Sequence, residues 1–587
     1  MKLASCYSAM ASAMASPTPG VAPRVSVPAA SSRLARSARG WLLAGALGLG
    51  VAAAFAANMP STNVAWMAAA ADADIESAFS RARAEKKPVL LYWGATWCPP
   101  CNQLKSTLFS RQEFAALSKG FVAVHVDGDL PGAQKLGSRF KVSGYPTTVL
   151  FTPEGQEVTR LPGEVDAPQA LAVLQLGLAG GRPVKTVLAD ALAGKALTAG
   201  EWRLLAFYSW ETDEQQLVPK AELPGMLARL AVASEPAPNG PNGAAAANGA
   251  AAGASEITTR LWLKALAASD DGKGLKADGP LRQRVLRVLG DAREARAQMD
   301  VLTNGAADIV RTLEDEVSPQ RAPLVAAYDA AMKKLEVDAT LSRADRLGAL
   351  IARVDLARLA QGTDSVNPKL PAPLLADLRE HVARADREIT DGYERQAVIT
   401  AAAYALGRAG LWADSEALLK ANLAKSHSPY YLMSQLGSNA RKLGRKDEAL
   451  RWYGEAFDKS TGPATRLQWG SGYLSALVDL APQDAARIEK VAAQLLREAA
   501  ADAGAFEGRS VRSLQRVGSK LQAWNGDGRH AATMKRLQGQ LDGLCAGLGK
   551  GDKAVAADTR STCEALFKPA PPKTAQWLHW LLGQKAA

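Results

Sequence analysis

Two thiols stand three positions apart at Cys98 and Cys101, with Pro99 and Pro100 between them and Trp97 before them. The sulfur nucleophile is a thiolate, and a Cys-x-x-Cys pair that opens a helix sets its first sulfur over unpaired backbone N–H groups and the positive end of the helix dipole. That placement favours a thiolate at Cys98, which can attack a disulfide. Cys101, one turn on, can then displace the product. Pro100 suits the first turn, where a missing N–H costs nothing. The competing chemistry is half of a zinc site, which needs two more ligands. Cys545 and Cys563 lie more than 400 residues away with seventeen residues between them, an unusual ligand spacing. His381, His427, His530 and His579 are scattered, so no metal is expected. His125 sits in an apolar run expected to be a strand and reads as a core or edge histidine rather than a catalytic base.

The elements that must position the thiols follow from hydrophobic periodicity. Ile75, Ala78 and Phe79 share a helical face, and Pro88–Trp93 is a short apolar run of the buried-strand kind. After the cysteines an amphipathic stretch runs through Leu104, Leu108, Phe114 and Leu117. Strands are expected at 121–126, 147–151 and 156–161, the last two paired across Pro153-Glu154-Gly155. Helices are expected at 131–141 and 167–178. Strand, helix, strand, hairpin and helix within about 110 residues make an α/β layer fold.

Trp97-Cys98-Pro99-Pro100-Cys101 after a buried strand, with Gly144-Tyr145-Pro146-Thr147 before the next, resembles the thioredoxin superfamily. Lys87-Pro88, Trp97-Cys98, Phe109-Ser110 and Val126-Asp127 make residues 72–180 most similar to the thioredoxin-like domain of DsbD-type periplasmic thiol–disulfide reductases. The resemblance implies that Cys98 is the nucleophile and Cys101 the resolving thiol. It further implies that Pro146 is cis and faces the sulfurs, and that Trp97, Tyr145 and Pro146 contact the substrate. One departure stands out. Tyr92 and Ala123 occupy the places where many thioredoxins carry a buried Asp and its Lys partner, so no general base is assigned.

Residues 185–587 read as a large all-α region, of helical-repeat or α-solenoid type, with Trp202, Phe207 and Trp210 as core candidates. Residues 235–254, rich in Ala, Asn, Gly and Pro, read as a flexible insert. Near 430–460, Leu436-Gly437, Ala440 and Gly444 followed by Ala449, Tyr453 and Ala456 resemble a tetratricopeptide repeat, with a degenerate echo at 401–421. An irregular helical bundle is the alternative. Cys545 and Cys563 are expected to form a structural disulfide in an oxidising compartment, and Trp577–Leu582 to form an apolar helix face.

Residues 1–57 carry arginines, no acidic residue and an uncharged run from Trp41 to Ala57, the pattern of a secretory signal with an uncleaved inner-membrane anchor as the alternative. Removing Lys2, Arg24, Arg33, Arg36 and Arg39 with it lowers the net charge from +12 to +7, and no basic run interleaved with aromatics points to nucleic acid. The expectation is therefore an exported, periplasmic thiol–disulfide oxidoreductase without a cofactor. It would act on protein disulfides and, as a reductase, draw electrons from a membrane-bound donor. The rival is a periplasmic helical scaffold or chaperone-like protein in which the cysteine pair is not essential.

Overall fold

The computed structural model describes residues 63–568, apart from 164, 211, 214–215, 236–249, 270–273, 362–364, 503 and 549–552. The signal segment 1–57, Trp577–Leu582 and His579 lie outside the described residues. No described helix is long and apolar enough to cross a membrane.

The amino-terminal part runs β1 (Met67–Ala69), α1 (Asp72–Glu85), β2 (Val89–Gly94), α2 (Pro99–Leu104), a π-helical turn (Lys105–Phe109), α3 (Gln112–Leu117), β3 (Val122–Asp127), α4 (Ala133–Arg139), β4 (Thr147–Phe151), β5 (Glu157–Leu161) and α5 (Ala167–Leu178). The sheet order is β1-β3-β2-β4-β5. The β1, β3 and β2 strands are parallel, while β4 runs antiparallel to β2 and β5 antiparallel to β4. The two-residue period of β2 fills both faces of the sheet. Val89, Leu91 and Trp93 join Ile75 and Phe79 of α1 in one core, whereas Leu90 and Tyr92 join Phe109, Phe114 and Leu174 in another.

Three local expectations are corrected. The edge strand β1 has no counterpart among the expected elements, because three residues, Met-Ala-Ala, carry no periodic signal. The stretch from Leu104 to Leu117 is broken. Its π turn gives way at Arg111, which is extended (φ −77°, ψ 143°), and the break lets Phe109 and Phe114 bury together. Residues 250–254, assigned to the flexible insert, open a helix, in keeping with the high helix propensity of alanine. Residues 236–249 of that insert are not described.

The helical region continues as α6 (Val184–Leu192), α7 (Ala199–Ala206), α8 (Leu223–Ala233), α9 (Ala250–Ala268), α10 (Gly279–Gly290), α11 (Ala292–Ala297), α12 (Met299–Leu313), α13 (Arg321–Glu336) and α14 (Arg343–Ala357). It then runs α15 (Ala372–Glu388), α16 (Gly392–Arg408), α17 (Trp412–Asn422), α18 (Pro429–Lys442), α19 (Lys446–Lys459), α20 (Pro463–Leu480), α21 (Ala485–Ala500), α22 (Gly508–Trp524), α23 (Ala531–Gly547) and α24 (Lys553–Glu564). Tight glycine turns join α16 to α17 at Gly410 (φ 78°) and α18 to α19 at Gly444 (φ 73°), a conformation that suits glycine. Gly437 lets the Tyr453 ring lie directly on the α18 backbone. Cys545 and Cys563 are disulfide-bonded and tie α23 to α24.

The helical region packs against the sheet domain through two separate cores. Leu188, Leu205, Phe207 and Leu230 from α6–α8 and the segment after α7 extend the core built on Leu90 and Tyr92. In the second core, residues of α14–α18 pack with the cysteine pair.

Candidate functional site

The site forms where β2 ends and α2 begins. Cys98 is the N-cap of α2 with extended backbone, and Pro99 and Pro100 occupy the first two helical positions, where neither lost N–H breaks a bond. The Cys101 N–H donates to the Cys98 sulfur at 3.2 Å, and the two sulfurs are bonded, with Cα atoms 5.2 Å apart. Asn102 is fully buried, and its side-chain amide donates at 2.8 Å to the carbonyls of both Thr96 and Cys98. It clamps the loop that presents Cys98. Sequence reasoning passed over it, since an Asn just after a Cys-x-x-Cys looks like any polar helix residue.

The Tyr145–Pro146 peptide is cis. The loop is held by Thr147, whose hydroxyl donates to the Gly144 carbonyl at 2.7 Å, and by Gln134, whose amide donates to the Tyr145 hydroxyl at 2.9 Å. Gly163 packs on the Pro146 ring, and an added Cβ there would lie 3.2 Å from it.

Beyond α2 lies a buried group of ionisable side chains. Burial pulls the Lys105 ammonium down to about 8, against the opposing charge of Asp127. Burial, with the charge of Asp129, pushes the Asp127 carboxyl up to about 6. Burial and the Lys105 charge hold the His125 imidazole down at about 3, so it is neutral. His125 stacks on Tyr92, with ring centres 5.1 Å apart, which makes it a core residue. Among the described residues no cluster of His, Cys, Asp and Glu could hold a metal ion.

The helical region completes the surroundings of the pair, and no sequence signal foretold which residues do so. Trp97 stacks on Tyr431 of α18, and its indole N–H donates to Asp129 at 2.9 Å and to Thr465 of α20 at 2.7 Å. Arg509 of α22 pairs with Asp129 at 2.6 Å, and its guanidinium lies 5.0 Å from the Trp97 ring and 5.1 Å from the Tyr145 ring. His427 bonds the Thr96 carbonyl through Nε2 at 3.0 Å, and the Gln396 amide reaches the Trp97 carbonyl at 3.5 Å. Trp97, Cys98 and Cys101 are left 8%, 2% and 0% exposed.

A five-stranded mixed sheet with a Cys-Pro-Pro-Cys pair at a helix start and a cis-proline loop defines a thioredoxin-like domain, followed here by a mostly helical region. Residues 75–177 match the family described as "Thioredoxin-like domain". Over 116 residues the chain is 31% identical to the thiol:disulfide interchange protein DsbD 2 of Pseudomonas aeruginosa, covering 19% of this chain and 20% of that protein. It is 32% identical over 115 residues to the thiol:disulfide interchange protein DsbD of Pseudomonas fluorescens, with the same shares. The matched segment thus spans about a fifth of the length of these relatives. A solved thioredoxin from Thermus thermophilus aligns at 28% identity, covering 20% of this chain and 91% of its own, with a TM-score of 0.19.

Proposed function

We propose that this protein is an exported, periplasmic thiol–disulfide oxidoreductase that reduces protein disulfides through Cys98 and Cys101. The observation that carries the reading is Cys98 at the N-cap of α2, within bonding distance of Cys101. The positive end of α2 favours the Cys98 thiolate. In the forward reaction that thiolate attacks one sulfur of a substrate disulfide, forms a mixed disulfide and releases the other sulfur as a thiolate. The Cys101 thiolate then attacks the Cys98 sulfur, closing the Cys98–Cys101 bond and releasing the second substrate thiol. Two electrons pass from the pair to the substrate, and a membrane-bound donor returns them. Trp97, Tyr145 and Pro146 are assigned to the substrate-binding surface, and Cys545–Cys563 to structural support of the helical region. The two cysteines carry the chemistry without a cofactor.

The test is a redox titration of the full chain in defined thiol buffers, read by alkylation and intact mass, together with a Cys101→Ser variant. A reversible two-electron transition at Cys98/Cys101 near the thioredoxin value of about −270 mV is expected. The Ser variant should accumulate mixed disulfides on Cys98. Absence of any transition would remove the oxidoreductase reading.

A second reading, a helical scaffold in which the pair is not essential, draws on the near-complete burial of both sulfurs. It requires that a Cys98→Ala variant keep the protein's binding partners and its cellular phenotype.

A further inference from the structure

A protein disulfide can react with Cys98 only if a sulfur of the substrate comes into line with the Cys98 sulfur. The described conformation prevents this, because the pair belongs to the same apolar core as Leu350, Val354, Val398, Leu406 and Leu432 of the helical region. Tyr431 covers the Trp97 ring, and Arg509 lies beside both Trp97 and Tyr145, two of the residues assigned to the substrate surface.

We propose that α14–α22 form a gate built into the chain, and that thiol exchange at Cys98–Cys101 takes place from a state in which this gate has parted from the sheet domain. The inference rests on the oxidoreductase reading above. Three features make the seam separable.

First, much of it is polar and directional. The Trp97 indole N–H donates to Thr465, Asp129 accepts from Thr465 and Arg509, the Arg509 backbone N–H donates to Gln134, and the Gly508 N–H donates to Ser138. Such groups exchange partners with water on parting at a small net cost per bond. Second, the backbones meet through glycines. Gly462 (φ 84°) lies on Asp129, Gly508 (φ 48°) on Gln134, and Gly504 beside Gly132. Third, the sheet domain is also gripped by α6–α8 through a separate core, built on Leu90 and Tyr92, which would hold it in place while the gate moves. Each side also keeps a core of its own, around Leu91, Val124 and Val149 in the sheet domain and around Leu474 and Leu495 in α20–α21.

The experiment uses the oxidised full chain. Dithiothreitol, which closes to its cyclic disulfide as it gives two electrons, reduces the pair, and the product is read by quenched alkylation and mass. A small protein dithiol serves as a second reductant. Arg509→Met and Thr465→Val weaken the gate from its own side, leaving the sheet domain's residues untouched. Both variants should expose Cys98–Cys101 at least tenfold faster than the unaltered chain with either reductant, at an unchanged rate for the equally buried Cys545–Cys563. Equal rates in the unaltered chain and both variants would overturn the gate, as would parallel acceleration of the two disulfides, which would indicate general loosening. If Arg509→Met does not fold, Thr465→Val alone decides between these results. A pair that reacts and titrates at equal rates in all three proteins sinks the gate alone. A pair with no reversible transition in any of them sinks the oxidoreductase reading as well.

Discussion

Replacing Lys105 by Met should change the pH dependence of stability in a defined direction. Lys105 is 3% exposed, lies one turn past Cys101, and places its ammonium 5.0 Å from the Tyr393 ring centre. Asp127 is the titratable group whose charge it feels, His125 and His427 feel its charge in turn, and Tyr393 is the ring it faces. Burial lowers its pKa from 10.5 to about 8. In the unfolded chain the ammonium keeps its ordinary pKa, so between about pH 8 and 10.5 the unfolded state binds more protons and stability rises with pH. The penalty is full below pH 8 and amounts to roughly 3 kcal/mol, taking 1.36 kcal/mol per pKa unit. Between pH 7 and 10 the unaltered chain should therefore gain about 2–3 kcal/mol relative to Lys105→Met. At pH 7 the variant should be the more stable, by less than the full penalty, because Asp127 loses the charge that favours its ionised form. Urea denaturation of the oxidised proteins across that pH range measures both quantities. Identical pH slopes for the two proteins would refute the burial argument.

Three further predictions concern the helical region. A Cβ on Gly437 would lie 2.9 Å from the ring of Tyr453, which is buried, so Gly437→Ala should cost about 1–2 kcal/mol despite the better helix propensity of alanine. Gly539, inside α23, has no neighbour within 4 Å, and Gly539→Ala should instead stabilise by about 0.5–1 kcal/mol; thermal melts giving both changes the same sign would contradict the packing argument. Removing the Cys545–Cys563 bond as a double Ser variant should lower stability by about 3 kcal/mol through the loop entropy of a separation of 18 residues. It should also leave the Cys98/Cys101 redox transition where it was, as a titration would show.

The thioredoxin-like domain was legible because its signals are local. A fully buried strand such as β2 must be apolar at every position, and a helix that begins on a cysteine tolerates two prolines only in its first turn. Where the pattern misled, local signal was weak or overridden. The edge strand β1 has three residues, and the break at Arg111 answers a need to bury Phe109 and Phe114 together. Helical pairs such as α18–α19 announced themselves through Gly437, Gly444 and Tyr453, small residues and a ring at fixed spacing. Asn102 was legible in principle, as a short polar side chain within reach of two loop carbonyls, but nothing in its neighbours singled it out.

The sequence by itself determined where the cysteine pair stands, because the helix start that carries Cys98 is encoded within a few residues of it. Only the tertiary structure decided what surrounds that pair. Tyr431, Thr465 and Arg509 stand more than 300 positions from Trp97, and each is an ordinary helix residue in its own segment. Their role arises from how separate helices pack against the sheet domain, and packing partners at that distance leave no mark on local periodicity.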